Sequence, residues 1–284
     1  MIIDIVLLGV ALLVLVIGSY TDIKTREVPD WLNFSMIAAG IGLRGIYSLA
    51  TFDWSFLLQG VIGLGIFVAV GYLMFYAGQW GGGDSKMLMG MGAVLGFDFN
   101  LDSLLIVFII NILFAGALYG LLWGIVSAVI KRRSFVREFK KIMNSRTVSI
   151  IRKIYLVCIA ISFIFVIFFI DDLLIKWLSV GMLFIFYISF YAVIFIKSVE
   201  NACMLKWVRP SVLTEGDWIA KEVKVKGKKI VGPKDLGISK EQIKKLKDIK
   251  VKKVLVKYGI PFVPSFLLAF VISLIWGAWW VYLF

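Results

Sequence analysis

An all-α membrane protein that crosses the bilayer about eight times, within a range of six to eight, is the architecture this sequence predicts. Three observations predict it. Apolar residues make up 61% of the 284 residues, and the mean hydropathy is +0.95, more than a soluble domain of this size needs. Several apolar runs approach the ~20 residues that cross ~30 Å of hydrocarbon. The lysines and arginines fall in alternate loops, as they do when basic loops stay on the cytoplasmic side.

The apolar runs place helices at 2–20, 32–50, 55–78, 86–97, 103–130, 154–170, 174–197 and 260–283. The first has no basic residues before it and no A-x-A site after it, so it reads as a retained span and not a cleaved signal peptide. The fourth is short. About twelve residues at ~1.5 Å rise give roughly 18 Å, which fits a helix that starts in a cytoplasmic cavity better than a full span. Only Asp171-Asp172 separates the sixth from the seventh. The last ends in Trp276, Trp279, Trp280 and Tyr282, an aromatic belt for the interface. Gly92/Gly96 and Gly116/Gly120/Gly124 are small-residue repeats that let helix backbones approach closely.

Loop charge orients these helices. The linker 131–153 holds Lys131, Arg132, Arg133, Arg137, Lys140, Lys141, Arg146, Arg152 and Lys153 against Glu138 alone, and 198–258 is also rich in lysine. The alternate loops carry Asp53, then Asp98 and Asp102, then Asp171 and Asp172, without lysine or arginine. Eight helices put every basic loop inside, both termini outside, and Asp22 and Asp84 together at the cytoplasmic face. The expected organisation is a membrane core over 1–130, a basic cytoplasmic linker over 131–153, a helical pair over 154–197, a small α+β cytoplasmic insert over 198–258 and a last helix over 259–284. In the insert, Trp218–Val225 and Lys229–Val231 flank a Lys-Gly-Lys turn and read as a hairpin. Ser239 with Gln242 is a capping box that opens a helix to about Asp248, and Val251–Val256 reads as a strand.

Composition excludes several chemistries. The chain has no histidine, so neither a Ser-His or Cys-His nucleophile pair nor an H-E-x-x-H zinc helix can form. Two cysteines, Cys158 and Cys203, form no C-x-x-C pair, and a zinc ribbon is excluded with it. No cofactor or metal is expected. The net charge of +13 reads as lysine and arginine meeting anionic membrane lipid, not as a nucleic-acid surface.

The carboxylates carry what chemistry remains. Asp84 alone reads as a helix N-cap, and Asp22 alone as a polar residue where a helix leaves the membrane. Their surroundings say more. Asp22-Ile23-Lys24 leads to Val28-Pro29, and Gly81-Gly82-Gly83-Asp84-Ser85-Lys86-Met87-Leu88 leads to Gly92-Ala93 and Gly96. These blocks resemble the D-x-[KR]-x-x-x-[IV]-P and G-x-G-D-x-K-[ML]-L-x-x-x-G-A-x-x-G stretches of the type IV prepilin and archaeal preflagellin (prearchaellin) peptidases. Pro261-Phe262-Val263-Pro264 resembles the P-F-x-P start of that family's last helix.

The resemblance implies an aspartyl membrane endopeptidase of the GxGD class with Asp22 and Asp84 as catalytic pair. It would remove the short basic leader from pilin-like or flagellin precursors at the cytoplasmic face of the plasma membrane. Two such carboxylates share a proton, one acting as base on water and the other as acid. Gly81 and Gly83 would let the backbone approach a substrate strand. Lys86 would support the loop, pair with an aspartate, or anchor at the interface. Glu27 and Asp30 would receive the basic leader, and they read equally as solvated interface residues. Many bacterial members carry two C-x-x-C pairs and also N-methylate the mature pilin. Those cysteines are missing here, so methyltransferase activity is not expected, and the minimal form looks like the archaeal branch.

Two alternatives remain open at this point. One is a presenilin-like or signal-peptide-peptidase-like intramembrane protease, although Tyr20-Thr21-Asp22 lacks the expected Tyr-Asp pair. The other is a proton-coupled transporter, for which Arg44 is the one intramembrane charge that might mark a path.

Overall fold

The structure is a computed structural model that describes residues 2–100, 102–225 and 228–283. It is an all-α polytopic membrane architecture with a small strand-containing region ahead of the last helix. Among the described residues, six helices are long and apolar enough to cross a membrane. They are α1 (Ile2–Thr25), α2 (Asp30–Thr51), α3 (Trp54–Tyr76), α5 (Leu104–Ile130), α7 (Arg146–Phe169) and α8 (Leu173–Val199), the last continued by a π-helical turn to Met204. Two more apolar helices, α4 (Gly82–Leu95) and α10 (Val263–Trp276), have 14 residues each, about 21 Å at helical rise. The remaining helices are polar: α6 (Arg132–Met143) and α9 (Lys240–Asp248).

The chain divides into two compact units. The first is built from Met1–Trp123, Arg209–Val254 and Tyr258–Phe284, the second from Gly124–Val208 and Leu255–Lys257.

In the first unit, α4 is the centre. It is wrapped by α2 and α3 and touched by α1, and most of its residues are buried. Glycines make the wrapping tight. A Cβ on Gly40 of α2 would lie 2.9 Å from the Ala93 carbonyl carbon, and one on Gly90 would lie 3.1 Å from Met36. Gly63 of α3 and Gly92 of α4 face each other so closely that a methyl group on either would strike the other's carbonyl. The Gly92 part of the expected glycine packing is therefore present. Gly120, by contrast, has open space around its α-carbon. Helix α1 packs on α10, and Leu7, Leu15, Phe67, Phe108, Phe266 and Phe270 are among the core residues.

Several boundaries differ from those the sequence predicts. Helix α4 begins at Gly82, not at residue 86, so the glycine run is its first turn. Helix α10 stops at Trp276 because Gly277 turns the chain at φ 54°, and a 3₁₀ turn follows over Trp279–Leu283. Trp279 is more than part of a belt, since its indole N–H donates to the Asn111 side chain at 2.9 Å, and Asn111 donates to Ser273 at 2.8 Å.

The soluble part of this unit has β3 (Val223–Val225) antiparallel to β4 (Lys228–Val231) with a bulge between Val223 and Lys224. The hairpin turn at Lys226 and Gly227 lies outside the described residues. The capping box at α9 forms as expected. Ser239 N–H donates to Gln242 at 2.9 Å, and Gln242 N–H donates to the Ser239 hydroxyl at 3.2 Å.

In the second unit, the basic stretch after α5 is helical. Phe135, Phe139 and Ile142 recur at helical spacing on α6, and the Phe135 ring lies 5.4 Å from that of Phe195 on α8. Ser145 caps α7 by accepting from Val148 N–H at 3.4 Å, which starts that helix eight residues earlier than its apolar run. Strands β1 (Leu205–Val208) and β5 (Val254–Lys257) are neighbours in a sheet. Glu200 pairs with Lys197 and Lys257, both at 2.9 Å.

Candidate active site

Asp22 lies in the last turn of α1 and not in a loop beyond it. It is only 5% exposed. Its Oδ2 accepts from Val263 N–H at 2.9 Å, and Phe262 N–H also bonds to the carboxylate. The sequence Pro261-Phe262-Val263-Pro264 explains this. Proline has no N–H, so the two flanking prolines leave Phe262 and Val263 as the donors at the start of α10. A helix N-terminus favours an anion, and here the anion is Asp22.

Asp84 is the third residue of α4, and the N-cap is Gly81 in extended conformation (φ −71°, ψ 165°). The Asp84 Oδ2 reaches back and accepts from Gly81 N–H at 3.0 Å. A glycine has no side chain to return the bond, so half of a capping box forms. Both aspartates thus sit at helix N-termini, Asp84 at its own and Asp22 at that of α10. The two carboxylates are within electrostatic reach of each other.

The turn between α1 and α2 joins the two aspartate loops. A Cβ on Gly83 would lie 3.3 Å from Val28, so the valine ahead of Pro29 packs against the residue ahead of Asp84. Lys86 Nζ meets Asp30 Oδ1 at 2.6 Å, which makes Lys86 a tie between the loops and not a simple interfacial anchor. Arg26, at φ 63°, donates to the Gly259 carbonyl at 2.5 Å and lies over the Trp123 ring. The three motif blocks are therefore brought to one place. Gly82, between Gly81 and Gly83, is exposed. Glu27 is exposed as well and interacts electrostatically with Asp217 of the soluble part. Trp218 packs over Gly78, which holds φ +68° in the loop ahead of Asp84.

Arg44 has no path to mark. It is buried, and its guanidinium donates to the carbonyls of Val94, Leu95 and Phe56, each at 2.9 Å. These bonds end α4, whose last carbonyls have no helical partner. Among the described residues, five side chains have buried polar atoms without a protein partner: Ser19 Oγ, the Asn33 amide, Arg44 Nε, Ser85 Oγ and the Tyr119 hydroxyl.

Residues 9–121 match the model of the type IV leader peptidase family. Asp22 and Asp84 both fall inside the matched residues. A preflagellin peptidase of Methanococcus maripaludis is 40% identical over 82 residues, 28% of this chain and 35% of the relative. A preflagellin peptidase of Methanocaldococcus jannaschii is 36% identical over 81 residues, 28% of this chain and 34% of the relative. Prepilin peptidase EppA of Methanothermobacter thermautotrophicus is 35% identical over 104 residues, 36% of this chain and 27% of the relative. The chain therefore matches about a third of the length of these curated relatives. No solved structure matches it.

Two features of the matched segment escape a sequence reading. The role of Arg44 depends on where α4 ends, which no local signal reveals. Tyr119 is hidden in the apolar run of α5, where it and Asn111 are polar exceptions that could have drawn notice.

Proposed function

We propose that the protein is an aspartic endopeptidase that removes the short basic leader from pilin-like or archaeal flagellin precursors. Asp22 and Asp84 are the catalytic pair, and the cut is made at the cytoplasmic face of the membrane. The observation that carries this reading is the pair of aspartates. They are far apart in sequence, yet within electrostatic reach, each fixed by backbone N–H groups, inside the segment that matches the leader-peptidase family.

One carboxylate takes a proton from water as the water oxygen attacks the scissile carbonyl carbon. The other, protonated, gives its proton to the carbonyl oxygen, and the proton taken from water then passes from the first carboxylate to the leaving amine. Such a pair titrates as a unit, so the roles belong to the dyad. Gly81, extended ahead of α4, would offer its backbone to a substrate strand, and Gly83 would support it from the first turn of the helix. Glu27 is the acid left open for the leader's charge, because Asp30 is engaged by Lys86. Basic loops facing the cytoplasm, with anionic lipid as their partner, would hold this face in place.

The test is cleavage in detergent of a precursor with a basic leader, a glycine at the cut and a hydrophobic helix. Wild-type protein should cut it, and Asp22→Asn and Asp84→Asn should each lose activity. Full cleavage by either variant refutes the dyad. EDTA should leave the rate unchanged, and inhibition reversed by added metal would contradict a reaction run by carboxylates alone. Glu27→Lys should raise KM for basic leaders with little change in kcat.

A further inference from the structure

The inner face of α5 runs alongside the Asp22 half of the site in three steps. Gly116 meets the Phe262 ring, where a Cβ would lie 2.8 Å from the ring edge. Phe262 and Val263 are the residues whose N–H groups hold Asp22. One helical turn on, Tyr119 brings its hydroxyl within electrostatic reach of Asp22 and Arg26. A further turn on, Trp123 stacks under Arg26 at 5.2 Å. Glycine at 116 lets the Phe262 ring lie close against the α5 backbone, on the same stretch of helix as Tyr119.

The Tyr119 hydroxyl is buried and has no hydrogen-bond partner among the described residues. It neighbours Asp22 without bonding to it. A buried hydroxyl left unpaired is destabilising, and a phenylalanine would fill the same space without that cost. Ser19, one helical turn before Asp22 on α1, also presents a buried hydroxyl with no protein partner. Two unpartnered hydroxyls therefore lie near this aspartate.

Building on the aspartic endopeptidase reading, we propose that Tyr119 is a further catalytic residue, whose hydroxyl donates a hydrogen bond to the scissile carbonyl oxygen as the tetrahedral intermediate forms. The phenol keeps its own proton throughout. The water oxygen bonds to the carbonyl carbon, its proton passes to one aspartate, and the carbonyl π pair moves onto the oxygen. That oxygen receives the proton of the other aspartate and the hydrogen bond of Tyr119. When the C–N bond breaks, the aspartate that took the water's proton gives it to the leaving nitrogen, and the other aspartate takes back the hydroxyl proton as the oxygen's pair re-forms the carbonyl. A donor aimed at developing charge in a site screened from water acts mainly on the transition state.

The experiment uses the full-length protein in detergent with the same glycine-cut precursor. Tyr119→Phe should lower kcat about 100-fold, the size expected for losing one such donor, with KM changed less than about twofold. Its Tm should stay the same or rise, since an unpaired hydroxyl has been removed. A peptide with a hydroxyethylene group in place of the cut bond should bind Tyr119→Phe more weakly by a similar factor. The cleaved leader peptide should bind both proteins alike. An unchanged kcat overturns the proposal while leaving the protease reading intact. A fall in Tm with equal loss of affinity for both peptides also overturns it, because the hydroxyl would then be structural. Failure of the wild type to cut any glycine-leader precursor overturns both readings.

Discussion

Arg44 shows how one side chain can set the length of a helix. Its guanidinium takes up the carbonyls of Val94 and Leu95 together with that of Phe56, and it fits because Gly60 has no side chain beside its stem and Gly96 none beside its guanidinium. Arg44→Leu would leave those carbonyls buried without their donor. At roughly 1–3 kcal/mol each, the loss in unfolding free energy should be at least about 3 kcal/mol, seen as a clear fall in Tm in detergent. Arg44→Lys should fall between, because an ammonium cannot reproduce the planar fork. A Tm equal to wild type in Arg44→Leu would remove the capping role. The Lys86–Asp30 pair should matter less to stability. Asp30 is 61% exposed, and pairs of that kind contribute about 0–1 kcal/mol. The two aspartates were legible in the sequence because their flanking residues form long, specific patterns. Arg44 and Tyr119 were not, because their meaning lies in partners from other helices.

Helix α4 is the element whose packing is most constrained. Its glycines are contact surfaces, and the outcome of adding a methyl group should depend on position. Gly92→Ala would press against the Gly63 carbonyl and Phe67, and should cost about 1–3 kcal/mol by overpacking. Gly42→Ala on α2, where nothing lies within 4 Å, should leave stability unchanged or raise it by up to ~1 kcal/mol through lower backbone entropy. Thermal unfolding of the two variants side by side is the check, and equal Tm values would contradict the packing described. The same contacts explain why the start of α4 was misjudged. Three glycines in a row argue against a helix, yet Gly83 packing on Val28 and the Asp84 bond to Gly81 hold the turn helical. Helix α6 was missed for the opposite reason. Its apolar face is a stripe of Phe135, Phe139 and Ile142 among arginines and lysines, and no continuous apolar run marks it.

For the molecule as a whole, the expected orientation rests on loop charge and invites a direct measurement. In a background with Cys158→Ser and Cys203→Ser, single cysteines at Asp53 and Lys140 should react with a membrane-impermeant thiol reagent from opposite sides. In intact cells Asp53→Cys should label and Lys140→Cys should not. Labelling of both from outside would overturn the topology. The architecture as a hydrophobic helical bundle was plain from composition and run length. The shortness of α10 was hidden, because the aromatic residues past Gly277 look like helix continued.

The glycine contacts have a mechanical side. Where α2 and α3 meet α4, backbone presses on backbone, and close-packed backbone has nothing compressible to give. Asp84 is therefore mounted on a fixed jaw. The seam between α1 and α4 is of another kind, since Gly18 of α1 meets the tip of Met87, a flexible, deformable side chain. Asp22 rides on α1 with the start of α10, so the softer contact lies on its side. Under the proposed function, a precursor helix would be admitted there. A cross-link between α1 and α4 should stop cleavage, and one between α2 and α3 should leave it running.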